Sequence, residues 1–532
     1  MLRKIGVLWV AVATLGLAAC GGTNSPTGKV ASSNQRGTLI DNPALRIASV
    51  NATDFAAQLS ATASGPQLLQ LAGTPACGVD FYYFKYWTVG PDNSAQMASG
   101  ALMVPTGSAA PCTGPRPIVL YAHGTTTDSA YNIANISDTS NSANSEAATI
   151  AAVFAAQGYI VVAPNDLGYD ISTLGYHPYL NGSENATVMM DALTAARAAL
   201  LTTFTPNTSD NAKLYITGYS EGGYAAMATV KAMQAAGAPV TASAPASGPY
   251  ALEAFADAIF FGQVNIGSTV FGPLVTTSYQ HAYSNVYAQT SDVYSPTFAS
   301  GIDTLLPSTT PIDALFQSGK LPQTAFFNST TPTSQTGIGA VDAAADQLLA
   351  LPASPPYSPS EATLFDLGFG NPYLVNDTYR VAYVDDAVIN ADQAEMTLIG
   401  GGTLNSGNVG LAATPMIGLR KDLAMNDMRS GGWSPQEPML MCGGDQDPTV
   451  AFQNAQIMAA LWTPFVTGGL VSVLDLNGAP QAGSPFAPLQ VALQETEAQL
   501  LAAGGLNAIA SFHATEAPFC LVAARGFFAQ VP

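Results

Sequence analysis

From about residue 79 onward, the apolar positions of the chain gather into short runs separated by longer stretches of helical composition. Pro117–Ala122 (PIVLYA), Tyr159–Ala163 (YIVVA) and Lys213–Thr217 (KLYIT) have strand length and little polar alternation, the pattern of strands covered on both faces. Ser145–Gln157, closed by Gly158, then Asn185–Leu201 and Tyr224–Ala236 read as helices between and after them. Val240–Ala246 supplies a fourth strand, and Val79–Val89 and Ala98–Val104 are strand-like upstream. Buried strands alternating with helices predict parallel strands joined by right-handed crossovers, a doubly wound, mainly parallel α/β sheet. The rhythm stops near residue 251 and resumes at Pro438–Cys442 (PMLMC) and Leu470–Leu476 (LVSVLDL). A pattern that stops and resumes predicts one domain carrying a large insertion. The expected division is a first core part at 61–250, a cap at 251–435 and a second core part at 436–532.

Charge narrows the partners. Lys and Arg number 16 against 36 Asp and Glu, a net charge of −20, and no basic run interrupts the acidity. Nucleic acid is therefore excluded, because phosphates are bound by clustered cations. With 48 % hydrophobic residues the chain has ample material for a core, which excludes wholesale disorder. The first nineteen residues form a leader, with Arg3 and Lys4 followed by an apolar run from Ile5 to Leu17 that is short for a membrane span. It ends in Leu17-Ala18-Ala19-Cys20, which resembles the bacterial lipobox and implies acylation of Cys20. A Gly-, Ser- and Asn-rich stretch follows and reads as a tether within an N-terminal segment at 20–60. The leader thus predicts an exported lipoprotein, held by a lipid anchor at the outer membrane or cell surface.

Export leaves four cysteines for an oxidising compartment. Cys77 and Cys112 flank the two upstream strand-like runs, so a bridge between them would tie off a hairpin, which leaves Cys442 for Cys520. No pair has the close C-x-x-C spacing of a zinc site, and no metal is expected.

One pentapeptide carries chemistry. Gly218-Tyr219-Ser220-Glu221-Gly222 lies directly after a strand and directly before an Ala-rich helix, where a nucleophile elbow belongs. Ser220 is the candidate nucleophile. A serine hydroxyl needs a base, and the chain holds only His123, His177, His281 and His513. In a fold of this kind the order along the chain is Ser, acid, His. His123 and His177 precede the serine and His281 falls in the insertion, so His513 is the candidate base. The acid should follow the strand Pro438–Cys442. Asp447 fits the spacing Gly444-x-x-Asp447-x-x-Val450 common at this corner of α/β-hydrolases, and Asp445 is the alternative. Cys442 and Cys520 lie close in sequence to Asp447 and His513, so their bridge would pin both loops. An oxyanion hole needs two backbone donors: Glu221, next to the nucleophile, and either Thr125 or Gly124 after PIVLYA. His123 is expected to brace that loop.

Taken together these residues resemble the secretory-lipase (lipase A-like) family of the α/β-hydrolases. The motifs are Tyr121-Ala-His-Gly124, Asn165-Asp166-Leu-Gly-Tyr169, His177-Pro-Tyr-Leu180, Gly218–Gly223, Trp433-Ser-Pro435, Gly444–Val450 and His513. The resemblance implies an α/β-hydrolase fold with a cap and a cofactor-free serine hydrolase acting on a small-molecule or lipid ester. It also makes Asp166 and His177 braces of the site's rim. A serine peptidase of the prolyl-oligopeptidase type, a polyester depolymerase and a non-catalytic binding lipoprotein are the competing readings.

Overall fold

The computed structural model describes residues 35–203, 208–350 and 364–531. The leader and Cys20 lie outside the described residues. Nine strands form one sheet: β1 (Leu45–Val50), β2 (Gly78–Val89), β3 (Ala95–Thr106), β4 (Gly114–Ala122), β5 (Ile160–Pro164), β6 (Thr208–Tyr219), β7 (Ala242–Ala246), β10 (Met439–Gly443) and β11 (Val471–Asp475). Two further short strands, β8 (Phe327–Asn328) and β9 (Phe369–Gly370), pair with each other in the insertion. The order across the large sheet is β1-β2-β3-β5-β4-β6-β7-β10-β11. The strands from β5 to β11 in that order are parallel, and β1, β2 and β3 join them by antiparallel pairing.

The unbroken apolar runs have a simple cause: both faces of these strands are covered. Ile118, Leu120 and Ala122 of β4, with Ile160 and Val162 of β5, enter one hydrophobic cluster. Their neighbours Val119, Tyr121, Val161 and Ala163 enter the other. Helices α1 (Asn144–Val153), α2 (Gly182–Thr203) and α3 (Glu221–Ala235) supply the crossovers. Small side chains on α2, such as Ala192, Ala195, Ala196 and Ala199, are buried against the sheet. The strand order reverses about β4, with β5 on one side and β6 on the other, and the carboxyl ends of β4 and β6 therefore flank a topological switch point.

The insertion is helical. The chain leaves the sheet after β7 and returns in β10, which pairs with β7 (Met439 beside Ser243, Cys442 beside Ala246). Between them lie α4 (Leu252–Phe260), α5 (Ser268–Tyr283), α6 (Asp377–Ile389) and α7 (Gly418–Asn426), among shorter elements. Buried ion pairs fasten its stalk. Arg429, just before β10, reaches Asp392 at 2.6 Å and Asp427 at 2.7 Å, and the Glu253 amide of α4 donates to Asp427. Arg420 of α7 holds Asp257 of α4 at 2.7 Å.

Within the N-terminal segment expected at 20–60, β1 pairs with β2 at the sheet edge, so the sheet starts ahead of residue 61. An edge strand is half exposed, so it lacks the unbroken apolar run that marks the inner strands. The C-terminal helix α8 (Phe512–Phe528) packs on the same face as α1. Both expected disulfides, Cys77–Cys112 and Cys442–Cys520, are formed.

Candidate active site

At the end of β6 the chain turns into α3 through a single residue, Ser220, with φ 61° and ψ −125°. A non-glycine residue in that region costs about 1–3 kcal/mol and persists only where its surroundings impose it. The neighbouring glycines show what imposes it. A Cβ on Gly222 would lie 2.0 Å from the Ala122 carbonyl oxygen of β4, and one on Gly223 would lie 2.1 Å from the Ala246 carbonyl oxygen of β7. The turn is wedged between two strand ends, which only glycines permit. The Ser220 N–H donates to the Ala246 carbonyl at 3.0 Å, and the Gly223 and Tyr224 N–H groups donate to the Ser220 carbonyl. The side chain is thereby presented above the sheet at the N-terminus of a 15-residue helix.

His513, at the start of α8, meets an acid from the loop after β10. Its Nδ1 lies 2.6 Å from Asp447 Oδ2, and the other oxygen of Asp447 accepts from the Thr449 and Val450 N–H groups at 2.8 and 3.1 Å. Asp445 is exposed and bonds its neighbour Gln446 instead. His513 Nε2 is buried and forms no hydrogen bond within the described protein, so Ser220 and His513 share one cleft without a direct bond. Such contacts are commonly loose before substrate seats. The Cys442–Cys520 bridge joins β10 to α8, and so ties the loop that carries Asp447 to the helix that carries His513.

Three residues here, Tyr219, Ser247 and Glu516, carry no signal in the sequence. Tyr219 Oη donates to the His513 carbonyl oxygen at 2.5 Å and lies 3.3 Å from His513 Nδ1. Beneath it Ser247 Oγ donates to Glu516 Oε1. Burial, then the charge of Asp447, pushes the Glu516 carboxyl well above the usual range. Tyr219 is likewise pushed up, chiefly by burial and then by Glu516, and keeps its proton.

The oxyanion side separates the two residues that the sequence left open. The Gly124 N–H donates to Glu146 Oε1 at 3.1 Å, so Gly124 is not a free donor and that alternative is corrected. Glu146 also accepts from Tyr121 Oη and Tyr131 Oη, at 2.7 and 2.9 Å. His123 Nδ1 donates to the Gly124 carbonyl at 2.7 Å. That carbonyl shares a trans peptide plane with the Thr125 N–H, which must point the opposite way. Among the described residues neither the Thr125 nor the Glu221 N–H has a protein acceptor. His123 thus braces the loop, as expected. Asp166 (φ 60°) is buried 3.8 Å from His123 Nε2, and His177 bonds the Glu221 side chain at 2.5 Å, so both stand behind the site. His281 of α5 stacks on Tyr176, with the ring centroids 3.9 Å apart. No group of three or more His, Cys, Asp or Glu among the described residues is arranged to hold a metal.

Ser220 borders two cavities of different character. One, of about 90 Å³, runs under the cap and is walled by apolar side chains including Leu252, Phe255, Ile259, Phe271, Val275 and Leu423. The other, of about 970 Å³, is the cleft that also holds His513, and Thr125, Thr126, Thr127, Ser142, Ser145 and Thr149 line part of it.

Fold and site together define a serine hydrolase of the α/β-hydrolase superfamily. Residues 145–265, which include the elbow, match the prolyl oligopeptidase family. Among solved structures, the ligand-bound form of the rice cell wall degrading esterase LipA from Xanthomonas oryzae is 26 % identical. It has a TM-score of 0.61, over 89 % of this chain and 99 % of that one. A protein from Legionella pneumophila, 18 % identical, superposes with a TM-score of 0.59 over 93 % of this chain and 98 % of that one, which speaks to the fold alone. No curated protein matches the sequence.

Proposed function

We propose that the protein is an exported, cofactor-free serine esterase of the secretory-lipase kind, using Ser220, His513 and Asp447 as its catalytic triad. The carrying observation is the position of Ser220 at the meeting of an apolar chamber and a wide, partly polar cleft, with His513 on the cleft wall and Asp447 bonded to it from behind. Ser220 attacks the ester carbonyl while His513 takes its proton. Asp447 fixes the Nδ1–H tautomer and stabilises the imidazolium. The Glu221 and Thr125 N–H groups receive the oxyanion, which forms only as the carbonyl becomes tetrahedral. The alkoxide leaves with the proton from His513, and water repeats the cycle on the acyl-enzyme.

The different linings of the two cavities support a division of the substrate between them. The acyl group enters the narrow apolar chamber, and the alcohol leaves into the larger cleft. A strongly acidic protein does not draw in anions, which favours a neutral ester. Xanthomonas LipA, described as an esterase, supports the same substrate class. Export is supported by the leader and by two disulfides in the fold. The anchor at Cys20 is part of this proposal, and no helix among the described residues is long and apolar enough to cross a membrane.

A peptidase is the second reading, favoured by the prolyl oligopeptidase match. A chain-length series of p-nitrophenyl esters run beside aminoacyl p-nitroanilides separates them. The ester reading predicts hydrolysis of short and medium acyl esters, falling for palmitate, with the anilides left intact. Cleavage of the anilides without the esters would establish the peptidase.

A further inference from the structure

Glu221 has two parts with opposite consequences for the reaction. Its N–H is a donor to the proposed oxyanion, while its carboxylate is buried on the same residue, with the side chain 1 % exposed. A bare carboxylate there would repel a developing negative charge through a medium of low dielectric. One side chain faces it. His177 Nε2 lies 2.5 Å from Glu221 Oε1, and Glu221 Oε2 has no hydrogen-bond partner among the described residues.

The geometry of His177 fixes its protons. Nδ1 lies 2.7 Å from the Leu167 carbonyl oxygen, which can only accept, so Nδ1 carries a hydrogen. Nε2 and a carboxylate oxygen can approach to 2.5 Å only with a second hydrogen between them, since two lone pairs would otherwise face each other. Whichever partner holds that hydrogen, the pair as a whole is neutral. The imidazole is itself buried, and Tyr169 packs on its ring at 4.9 Å. Of the other titratable groups close by, Asp166 faces His123, while Tyr169 and Tyr179 are held protonated, first by burial and then by the Glu221 charge. Burial alone would lower the His177 imidazolium, but the Glu221 and Asp166 carboxylates outweigh it and the net direction is upward.

We propose that His177 is an electrostatic positioning residue: its proton cancels the Glu221 carboxylate behind the oxyanion hole and holds that side chain back from the reacting atoms. The proposal rests on the acyl-transfer reading above and adds a role for a pair outside the triad.

The test compares a transition-state analogue with fold stability. An alkyl boronic acid forms a tetrahedral adduct on a nucleophilic serine, so its affinity reads the oxyanion site directly. His177→Gln, which removes the proton set against Glu221, is expected to weaken that inhibitor and lower kcat together by about ten- to a hundred-fold, with little change in KM. Adding Glu221→Gln to this variant is expected to recover most of the loss, because the stranded charge is gone. Should both variants melt earlier yet bind the boronic acid as the wild type does, the pair is merely structural and the proposal falls. Histidine-selective ¹⁵N NMR on the wild type tests the proton without any variant. His177 Nε2, assigned through its contacts with Tyr169, should be protonated or share a proton at neutral pH, and a bare Nε2 would overturn the proposal. A wild-type protein that neither binds the boronic acid nor cleaves any ester would instead overturn the acyl-transfer reading, and the NMR result would still decide the proton.

Discussion

At the scale of single residues, the site depends on side chains that hold other side chains. Tyr219 occupies a position that the Gly-x-Ser-x-Gly motif leaves open, yet its hydroxyl anchors the His513 backbone. Tyr219→Phe keeps the ring and removes that hydrogen bond, which is worth about 1 kcal/mol. The expected outcome is a fall in kcat of roughly five- to tenfold with KM nearly unchanged, read from steady-state ester hydrolysis. An equal rise in KM with kcat intact would assign Tyr219 to substrate binding instead. The meeting of Ser220 and His513 in one cleft was legible in the sequence, because a strand–turn–helix context marks Ser220 and because the other three histidines fall ahead of it or in the insertion. The choice between Gly124 and Thr125 was not legible. It turns on Glu146, 22 residues from Gly124, and no local pattern announces a contact made by tertiary packing. Glu516 was hidden for the same reason, since a lone glutamate in a C-terminal helix reads as a surface residue until the helix is seen to bury it.

At the scale of elements, the inner strands were readable because burial on both faces leaves unbroken apolar runs, and the helices between them because small and apolar residues mark the buried side. The edge strand β1 escaped notice because half of it faces solvent. The insertion could be bounded by the break in rhythm but not resolved into its helices, because they bury against one another and not against a regular sheet. Its stalk is charged and dry. Arg429 and its partners Asp392 and Asp427 are all almost wholly buried. Arg429→Gln would strand two buried carboxylates at the point where the cap rejoins the core, and removing one partner of a buried pair costs about 3–5 kcal/mol. Chemical denaturation should show a loss of that size, and ester hydrolysis should fall as the chamber walls loosen. A variant as stable as the wild type would mean that the stalk is not held by these pairs.

At the scale of the whole molecule, buried acids decide how stability answers to pH. Burial, followed by the charges of Asp257 and Asp392, pushes Glu253 up to about 8. Burial pushes Glu184 and Glu497 up to about 7, and Asp257 and Asp422 up to about 6. Each folded-state value lies above the unfolded one, so between the two the native state binds more protons. Their contribution is complete below the unfolded values and is lost as pH rises through about 6 to 8. The net charge of −20 adds self-repulsion in the same direction. The melting temperature should therefore be several degrees higher at about pH 5 than at about pH 8.5, and Glu253→Gln should flatten that decline. A melting temperature that rises over this interval would contradict the burial of these acids. The central claim concerns Ser220, and covalent labelling tests it most directly. On treatment with an alkyl fluorophosphonate, peptide mass mapping should find one adduct, on Ser220, accumulating at the rate at which ester hydrolysis disappears. Full labelling with hydrolysis intact, or an adduct on another residue that tracks the loss of activity, would contradict it.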